Sequence, residues 1–326
     1  MTTVFESPTR LRTDRRLKRF DDVRQLLPDV DNPTPLVRLN RVVPGEVFLK
    51  LEWFNPFGSI KDRAASYLLE GVRTRGQLEG KRLVEASSGN TGIALAALAA
   101  LEGIPIVITI PDEVPEEKKV LLRMLGAEVW PTPDDLCPVD NPKDGAIALA
   151  RSLSLSNGPE AYVWPDQYSN PDNVRAHYET TGPEIWHQTD GQIRTFIAGY
   201  GTCGTISGVG RFLKEQDQSV RIVAVEPDPG HRLPGLKSFG ESKVPEILDE
   251  EVVDEVIRVS DDDAYAMTKR LFREESLMVG PSTGAIVAAV ADLDLPGIAV
   301  AISPDSGFKY ATFFIDHLGD EGLPRI

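Results

Sequence analysis

The 326-residue chain, 41% hydrophobic and 26% charged, has the composition of a folded globular protein and room for two domains or one large α/β unit. Its 50 acidic against 35 basic residues give a net charge of -15, which argues against nucleic acid as a partner, because phosphate binding needs a basic face. Cys137 and Cys203 stand far apart with no CxxC pair and the four histidines are scattered, so neither a disulfide framework nor a metal centre is expected.

In chain order, residues 1 to about 30 are polar and uneven, as in an arm or short helix lying on the body. No apolar run reaches membrane-spanning length, and the arginines near the start are not followed by an apolar signal region. The expectation is therefore a cytoplasmic protein with no membrane partner. Asp31–Leu39 is extended, since each proline turns its predecessor away from helix. A strand over Glu46–Trp53 then runs into Asn55–Arg63, NPFGSIKDR. Pro56 and Gly58 form a turn there, Ser59 is a helix cap, and Ala64, Ala65, Leu68, Leu69 and Val72 repeat at helical spacing. Lys61 thus sits where a helix begins, and the positive end of the helix dipole favours its neutral amine. Such an amine is a nucleophile toward aldehydes.

Strand and helix go on alternating. Lys81–Ala86, Ile104–Ile110 and Ala127–Trp130 read as strands, and the stretch after Asn90, Pro115–Leu125 and Gly145–Leu153 read as helices. The chain turns polar and proline-rich over Asp134–Lys143 and again at Asn170–Asn173, where a domain boundary is placed. Beyond it come strands at Thr195–Ala198, Arg221–Glu226 and Ile298–Ile302, with helices through Lys214, over Asp261–Glu275 and after Gly284. Pro227–Val253 shows little period and reads as a long mobile excursion. Alternation of this kind makes a doubly wound α/β fold with mainly parallel sheets.

Ligands of such sheets gather at strand carboxyl ends. Four strands are expected to end in loops of small polar residues: SSGNTG from Ser87, GYGTCGT from Gly199, GPSTGA from Gly280 and SPDSG from Ser303. Ser87, Ser88, Gly89, Asn90 and Thr91 set hydroxyls, an amide and N–H groups at a helix start, a receptor for a carboxylate. Gly201, Thr202, Cys203, Gly204 and Thr205 do the same in a form that suits a phosphate. The second loop also fits G-x-G-x-x-G, with Glu226 about 20 residues on, the fingerprint of a dinucleotide site. A nicotinamide dehydrogenase would leave Lys61 and SSGNTG unused, whereas a phosphate monoester bearing an aldehyde uses every loop.

NPFGSIKDR, SSGNTGIALA, GYGTCGTISGVG, GPSTGA and PDSGFKY, in that order and after an early TPLVRL, resemble the cysteine synthase and cystathionine β-synthase group of fold-type II pyridoxal-phosphate enzymes. The resemblance runs from about Asn32 to Tyr310. It implies two doubly wound, mainly parallel-sheet domains with the cofactor in the cleft between them. Residues 1–54 would form an arm and first strands packing partly on the C-terminal domain, 55–168 the smaller domain, and 169–326 the larger. It also implies a homodimer. Lys61 would hold pyridoxal 5'-phosphate as a Schiff base, Asn90 would bond the ring hydroxyl, and Gly201 to Thr205 the phosphate. Ser282 would face the pyridine nitrogen, and Ser87, Ser88, Gly89, Thr91 and Gln167 would receive the substrate carboxylate.

The implied reaction is β-replacement on O-acetylserine or O-phosphoserine through an α-aminoacrylate, trapped by sulfide or another thiol. Thr91 differs from the histidine typical of serine and threonine dehydratases. Threonine synthases share the lysine and asparagine motifs, but GTCGT and Gln167–Pro171 are closer to cysteine synthases. Cys203 stands where glycine is common. A bare cystathionine β-synthase core is a further alternative, as is a catalytically idle binder of the same fold. A phosphoserine donor carries a dianionic leaving group and calls for cations. His231, Arg232 and above all Lys237 are the candidates in that role.

Overall fold

Apolar runs bounded by glycine and proline turns form the strands, and the alanine- and leucine-rich stretches between them form helices. The computed structural model describes residues 15, 18–133, 145–155, 161–291 and 293–317; most of the early arm, the Asp134–Lys143 stretch and Cys137 lie outside them. In chain order the elements are β1 (Leu36–Arg38), β2 (Glu46–Leu51), α1 (Lys61–Thr74), β3 (Arg82–Ala86), α2 (Asn90–Glu102), β4 (Ile106–Pro111), α3 (Glu116–Met124), β5 (Glu128–Thr132), α4 (Ala146–Ser154) and β6 (Tyr162–Val163). Then come α5 (Asp172–Ala176), α6 (Gly182–Gln188), β7 (Ile193–Gly199), α7 (Gly204–Gln216), β8 (Arg221–Pro227), β9 (Glu255–Val259), α8 (Asp261–Glu274), α9 (Pro281–Ala291), β10 (Ile298–Ser303) and α10 (Ala311–His317).

Two sheets result, in the orders β5-β4-β3-β6 and β1-β2-β10-β7-β8-β9. Every pairing is parallel except β1 with β2. The early strand β2 lies beside the late strand β10, with Val47 opposite Ala299 and Leu49 opposite Ala301. Both sheets are covered on both faces, as the near-continuous apolar strands require. Along β8, Val223 and Val225 enter one core while Ile222 and Ala224 enter the other. In the smaller sheet, Leu83, Ile106 and Ile108 pack on one side and Val84 and Val107 on the other.

Several expectations need correction. GPSTGA follows helix α8, and α9 already begins at Pro281, so three of the four loops, not all, end a strand. The excursion after Pro227 is anchored: Leu233 and Leu236 belong to the large core, and the Lys237 N–H donates to the Tyr200 carbonyl at 2.8 Å. Its weak period reflects irregular backbone held by a few buried anchors. The two-residue strand β6 is too short to display a period of two, and β9, EVIRV at the edge of its sheet, mixes charged with apolar residues; neither is expected from the sequence, nor is the helical stretch from Asp172 to Gln188 with its π-helical turn His177–Thr181.

Candidate active site

The turn that delivers Lys61 to the start of α1 is held from within and from without. Asp62 accepts the Phe57 N–H at 2.5 Å and the Ser59 hydroxyl at 3.2 Å, while Ser59 Oγ accepts the Lys61 N–H at 3.2 Å. Gly58 allows the reversal with a φ of +83°. The Ile60 N–H donates to the Pro304 carbonyl at 2.9 Å, which ties the turn to the end of β10. Lys61 lines a cavity between the sheets, its Nζ 3.4 Å from Thr202 Oγ1. Among the described residues it forms no ion pair. Part of its side chain stays open to the cavity, yet burial pushes the amine's pKa below the ordinary lysine range, and the pull of Asp305 only partly opposes this.

The loop Gly199–Thr205 forms the facing wall. Thr202 Oγ1 also accepts from Asn173 Nδ2 at 3.1 Å, so the hydroxyl's own hydrogen is left for an acceptor in the cavity. Asn173 braces the loop from behind, donating to the Gln167 carbonyl at 2.8 Å; a Cβ on Gly204 would come within 2.1 Å of its Oδ1. Thr205 Oγ1 lies 3.3 Å from His177 Nε2, and His177 Nδ1 lies 2.9 Å from Thr181 Oγ1. Burial, helped by Lys61 and Arg63, drives the His177 pKa to about 3, so the imidazole is neutral.

The first bond of α7 runs from the Ser207 N–H to the Cys203 carbonyl at 3.1 Å. The N–H groups of Gly204, Thr205 and Ile206 therefore precede the helical ladder and face outward at the positive end of the helix. Cys203 has a φ of +68°, which explains the preference for glycine there, since the left-handed region costs an L-residue roughly 1 kcal/mol. Burial raises its thiol pKa to about 12, so the sulfur is a packed, neutral group.

Asn90 opens α2 and Ser282 is the second residue of α9; both line the same cavity as Lys61, Gly201, Thr202, Cys203 and Thr205. The rest of the SSGNTG turn adjoins this wall without being part of it. Ser87 Oγ accepts the Gly89 and Gly92 N–H groups at 3.3 and 2.9 Å, and Ser88 is exposed. The Thr91 hydroxyl donates to Gln167 Oε1 at 2.6 Å, and Gln167 Nε2 donates to the Ala86 carbonyl at 3.1 Å. Lys237 has its ammonium 5.2 Å from the centre of the Tyr168 ring.

Three site residues have no assigned role in the sequence reading: Asp305, Lys309 and Tyr310. Asp305 and Tyr310 line the cavity, and Lys309 reaches Asn90 from behind it. All three lie in PDSGFKY, where a carboxylate just past a strand end was the available signal. The acid of the dinucleotide fingerprint is already engaged. Glu226 accepts the Phe239 N–H at 2.7 Å, and a Cβ on Gly199 would come within 2.4 Å of Leu236.

The model of a family described as pyridoxal-phosphate dependent enzyme matches residues 27–300. A cysteine synthase of Aquifex aeolicus is 41% identical over 294 residues, covering 86% of this chain and 88% of that protein. Cysteine synthase B of Escherichia coli is 42% identical over 284 residues, covering 85% and 91%. Among solved structures, O-ureido-L-serine synthase superposes with a TM-score of 0.82 at 32% identity, covering 92% of this chain and 96% of that one. A hydrogen sulfide-producing enzyme of Fusobacterium nucleatum gives 0.80 at 32%, covering 89% and 99%. Family model, relatives and neighbours agree along nearly the whole length, and the chain belongs to the pyridoxal-phosphate dependent enzymes.

Proposed function

We propose that the protein is a pyridoxal-phosphate-dependent cysteine synthase that replaces the β-substituent of an activated serine with sulfide. The observation that carries this reading is the Lys61 amine, with no ion pair among the described residues, facing the open N-terminus of α7 across one cavity. The relatives named cysteine synthase, 41 to 42% identical, support the reaction class.

The residues fit the cofactor. The N–H groups at the start of α7 and the hydroxyls of Thr202 and Thr205 suit its phosphate. Gly201 keeps that wall thin, since a Cβ there would lie 2.9 Å from the Gly235 carbonyl. When bound, pyridoxal phosphate supplies an aldehyde for the Lys61 amine and a ring that takes up the electron pair of the substrate's α-carbon. Lys61 Nζ, its proton affinity lowered by burial, is the amine that would hold the cofactor's aldehyde and the base placed to take the substrate's α-proton. Asn90 and Ser282, both on the cavity wall, would meet the ring oxygen and the ring nitrogen respectively. A hydroxyl does not hold that nitrogen protonated as a carboxylate would, which favours prompt loss of the β-substituent over transamination.

The turn Ser87, Ser88, Gly89 and Thr91, with Gln167, receives the substrate carboxylate. The Gly89 N–H is spent on Ser87 Oγ and the Ser87 N–H on the Thr109 carbonyl, so the N–H groups of Ser88 and Thr91 would do the binding, while the Ser87, Thr91 and Gln167 side chains keep the turn in shape. Lys237, whose ammonium lies 5.2 Å from the centre of the Tyr168 ring, would serve the donor's leaving group.

The test is cysteine formation by the cofactor-loaded protein from sulfide with serine, O-acetylserine or O-phosphoserine in turn. One of the two esters yields cysteine. A loaded protein that makes none from any donor overturns the assignment. Lys237→Ala lowers turnover on O-phosphoserine selectively; equal loss on both esters, or no loss, removes Lys237 from donor choice.

A further inference from the structure

We propose that Asp305 and Lys309 are positioning residues that decide which end of the Asn90 amide faces the cavity, an inference resting on the reading that Asn90 meets the ring oxygen of pyridoxal phosphate. Asn90 starts the helix that follows β3 of the four-stranded sheet, whereas Asp305 and Lys309 follow β10 of the six-stranded one. Lys309 Nζ donates to Asn90 Oδ1 at 2.9 Å and to the Phe57 carbonyl at 3.3 Å. Asn90 Nδ2 donates to Asp305 Oδ2 at 2.6 Å, and the same carboxylate oxygen takes the Tyr310 hydroxyl at 2.6 Å.

The chemistry of these contacts is one-way. A carboxylate oxygen accepts and cannot hold a carbonyl, so Asp305 holds only the nitrogen end of the amide. Lys309 acts as donor in both its bonds and holds the oxygen end. Burial lowers the Lys309 pKa against the pull of Asp305 and Asp62, but amine and ammonium alike carry the two hydrogens needed. A flipped Asn90 would set oxygen against oxygen at Asp305 and, where Lys309 is an ammonium, N–H against N–H on the other side. Each of those losses leaves a polar group inside the protein without a partner.

In the orientation so chosen, the Nδ2 end of Asn90 faces Asp305, to which it donates at 2.6 Å, and the Tyr310 hydroxyl, also a hydrogen-bond partner of Asn90. Asn90, Asp305 and Tyr310 all line the cavity, so the N–H end of the amide is the end presented to a ring oxygen carrying negative charge. Asp305 is itself confined. It is 1% exposed, its Oδ1 lacks a hydrogen-bond partner, and a Cβ on Gly280 would come within 2.1 Å of that atom. Tyr310, which shares Asp305, is covered from the smaller sheet's side by Lys118 of α3, whose Nζ lies 5.2 Å from the ring centre.

The test reads the absorption spectrum of the holoenzyme, because the visible band of bound pyridoxal phosphate reports an unprotonated ring oxygen and the near-ultraviolet band a protonated one. Lys309→Met lowers the visible band at least two-fold at neutral pH with a matching rise in the near-ultraviolet, and speeds cofactor loss on dialysis. Lys309→Arg restores the parental spectrum, and Asp305→Ala acts in the same direction as Lys309→Met. Added to Asn90→Ala, Lys309→Met changes the spectrum no further, because nothing is left to position. If Asn90→Ala alone leaves the spectrum as it was, the contact between Asn90 and the ring falls and the inference falls with it. If Asn90→Ala shifts the bands while Lys309→Met and Asp305→Ala do not, only the positioning role is overturned. The same holds if Lys309→Met adds its full effect to Asn90→Ala. Should Lys309→Met fail to fold, Asp305→Ala decides alone.

Discussion

Lys50 and Lys61 are buried lysines on neighbouring elements with opposite surroundings. Lys50 Nζ lies 2.6 Å from Glu184 Oε2, 2.7 Å from Gln188 Oε1 and 2.9 Å from the Thr34 carbonyl. Lys61 Nζ has one hydroxyl at 3.4 Å. Burial lowers both pKa values, but only Lys50 has a carboxylate in contact to hold its proton. The difference continues along α1. Arg63 bonds Glu52 through Nε at 2.7 Å and Nη2 at 2.9 Å, and Glu184 through both terminal nitrogens. Positions 61 and 63 are about 200° apart around the helix, so one faces the cavity and the other the ion cluster. The lesson is that burial alone lowers a lysine's pKa, and the supply of partners then decides whether the lysine is structural or reactive.

The sharpest way to break this comparison is to delete each cation. Lys61→Ala is expected to lower turnover by about 10³-fold or more, roughly 4 kcal/mol, while unfolding free energy stays within about 1 kcal/mol of the parent. A large loss of stability in urea unfolding would mean that Lys61 is structural after all. Arg63→Met leaves Glu52 and Glu184 buried with one fewer cation, and is expected to cost about 3–5 kcal/mol in the same measurement. Burial alone would raise the Glu52 pKa, but Arg63 outweighs it and holds the value at about 2. Stability from this site is thus present above about pH 4.5 and lost as pH falls toward 2. A loss below about 1 kcal/mol would show that the cluster is not what holds α1 in place.

The smallest of the three effects concerns an acid in the position of Lys61, buried and without an ionic partner. Glu85 in β3 is 0% exposed, its Oε2 has no hydrogen-bond partner among the described residues, and burial, reinforced by Asp166, raises its pKa from 4.5 to about 8. The folded state therefore holds a proton that the unfolded chain releases. Stability contributed by this group is complete below about pH 4.5 and declines as pH rises to about 8. Glu85→Gln removes that decline and makes the protein more stable than its parent at pH 8 by on the order of 3 kcal/mol. Parallel pH profiles for parent and variant would show that Glu85 titrates normally and that burial without a partner does not act alike on the two sheets.

Much of the fold and site is readable along the chain, because each part depends on near neighbours. Pro56, Gly58 and Ser59 before the periodic Ala64–Val72 stretch announce a helix starting at Lys61. Loops of glycine, serine and threonine mark the cavity, three of them after apolar strands, and Gly201 to Thr205 combines hydroxyls with unsatisfied N–H groups at a helix start. Other parts are not readable for equally physical reasons. His177 and Asn173 sit in a polar stretch whose helices lack a clear apolar stripe, so nothing local announces that they brace the Gly199–Thr205 loop. The G-x-G-x-x-G match misleads because the local pattern cannot show that Glu226 is taken up by the Phe239 N–H.

The α/β alternation, the helix-start lysine and the small-residue loops are set by backbone preferences and side-chain chemistry over a few successive residues, and so can be read along the chain. That Lys50 and Arg63 meet carboxylates while Lys61, among the described residues, does not is a result of packing. Packing alone set Asn90 between Asp305 and Lys309, which stand 215 and 219 positions away. A repeat of apolar residues tells which face turns inward; the group that waits there is chosen by how distant strands and helices pack.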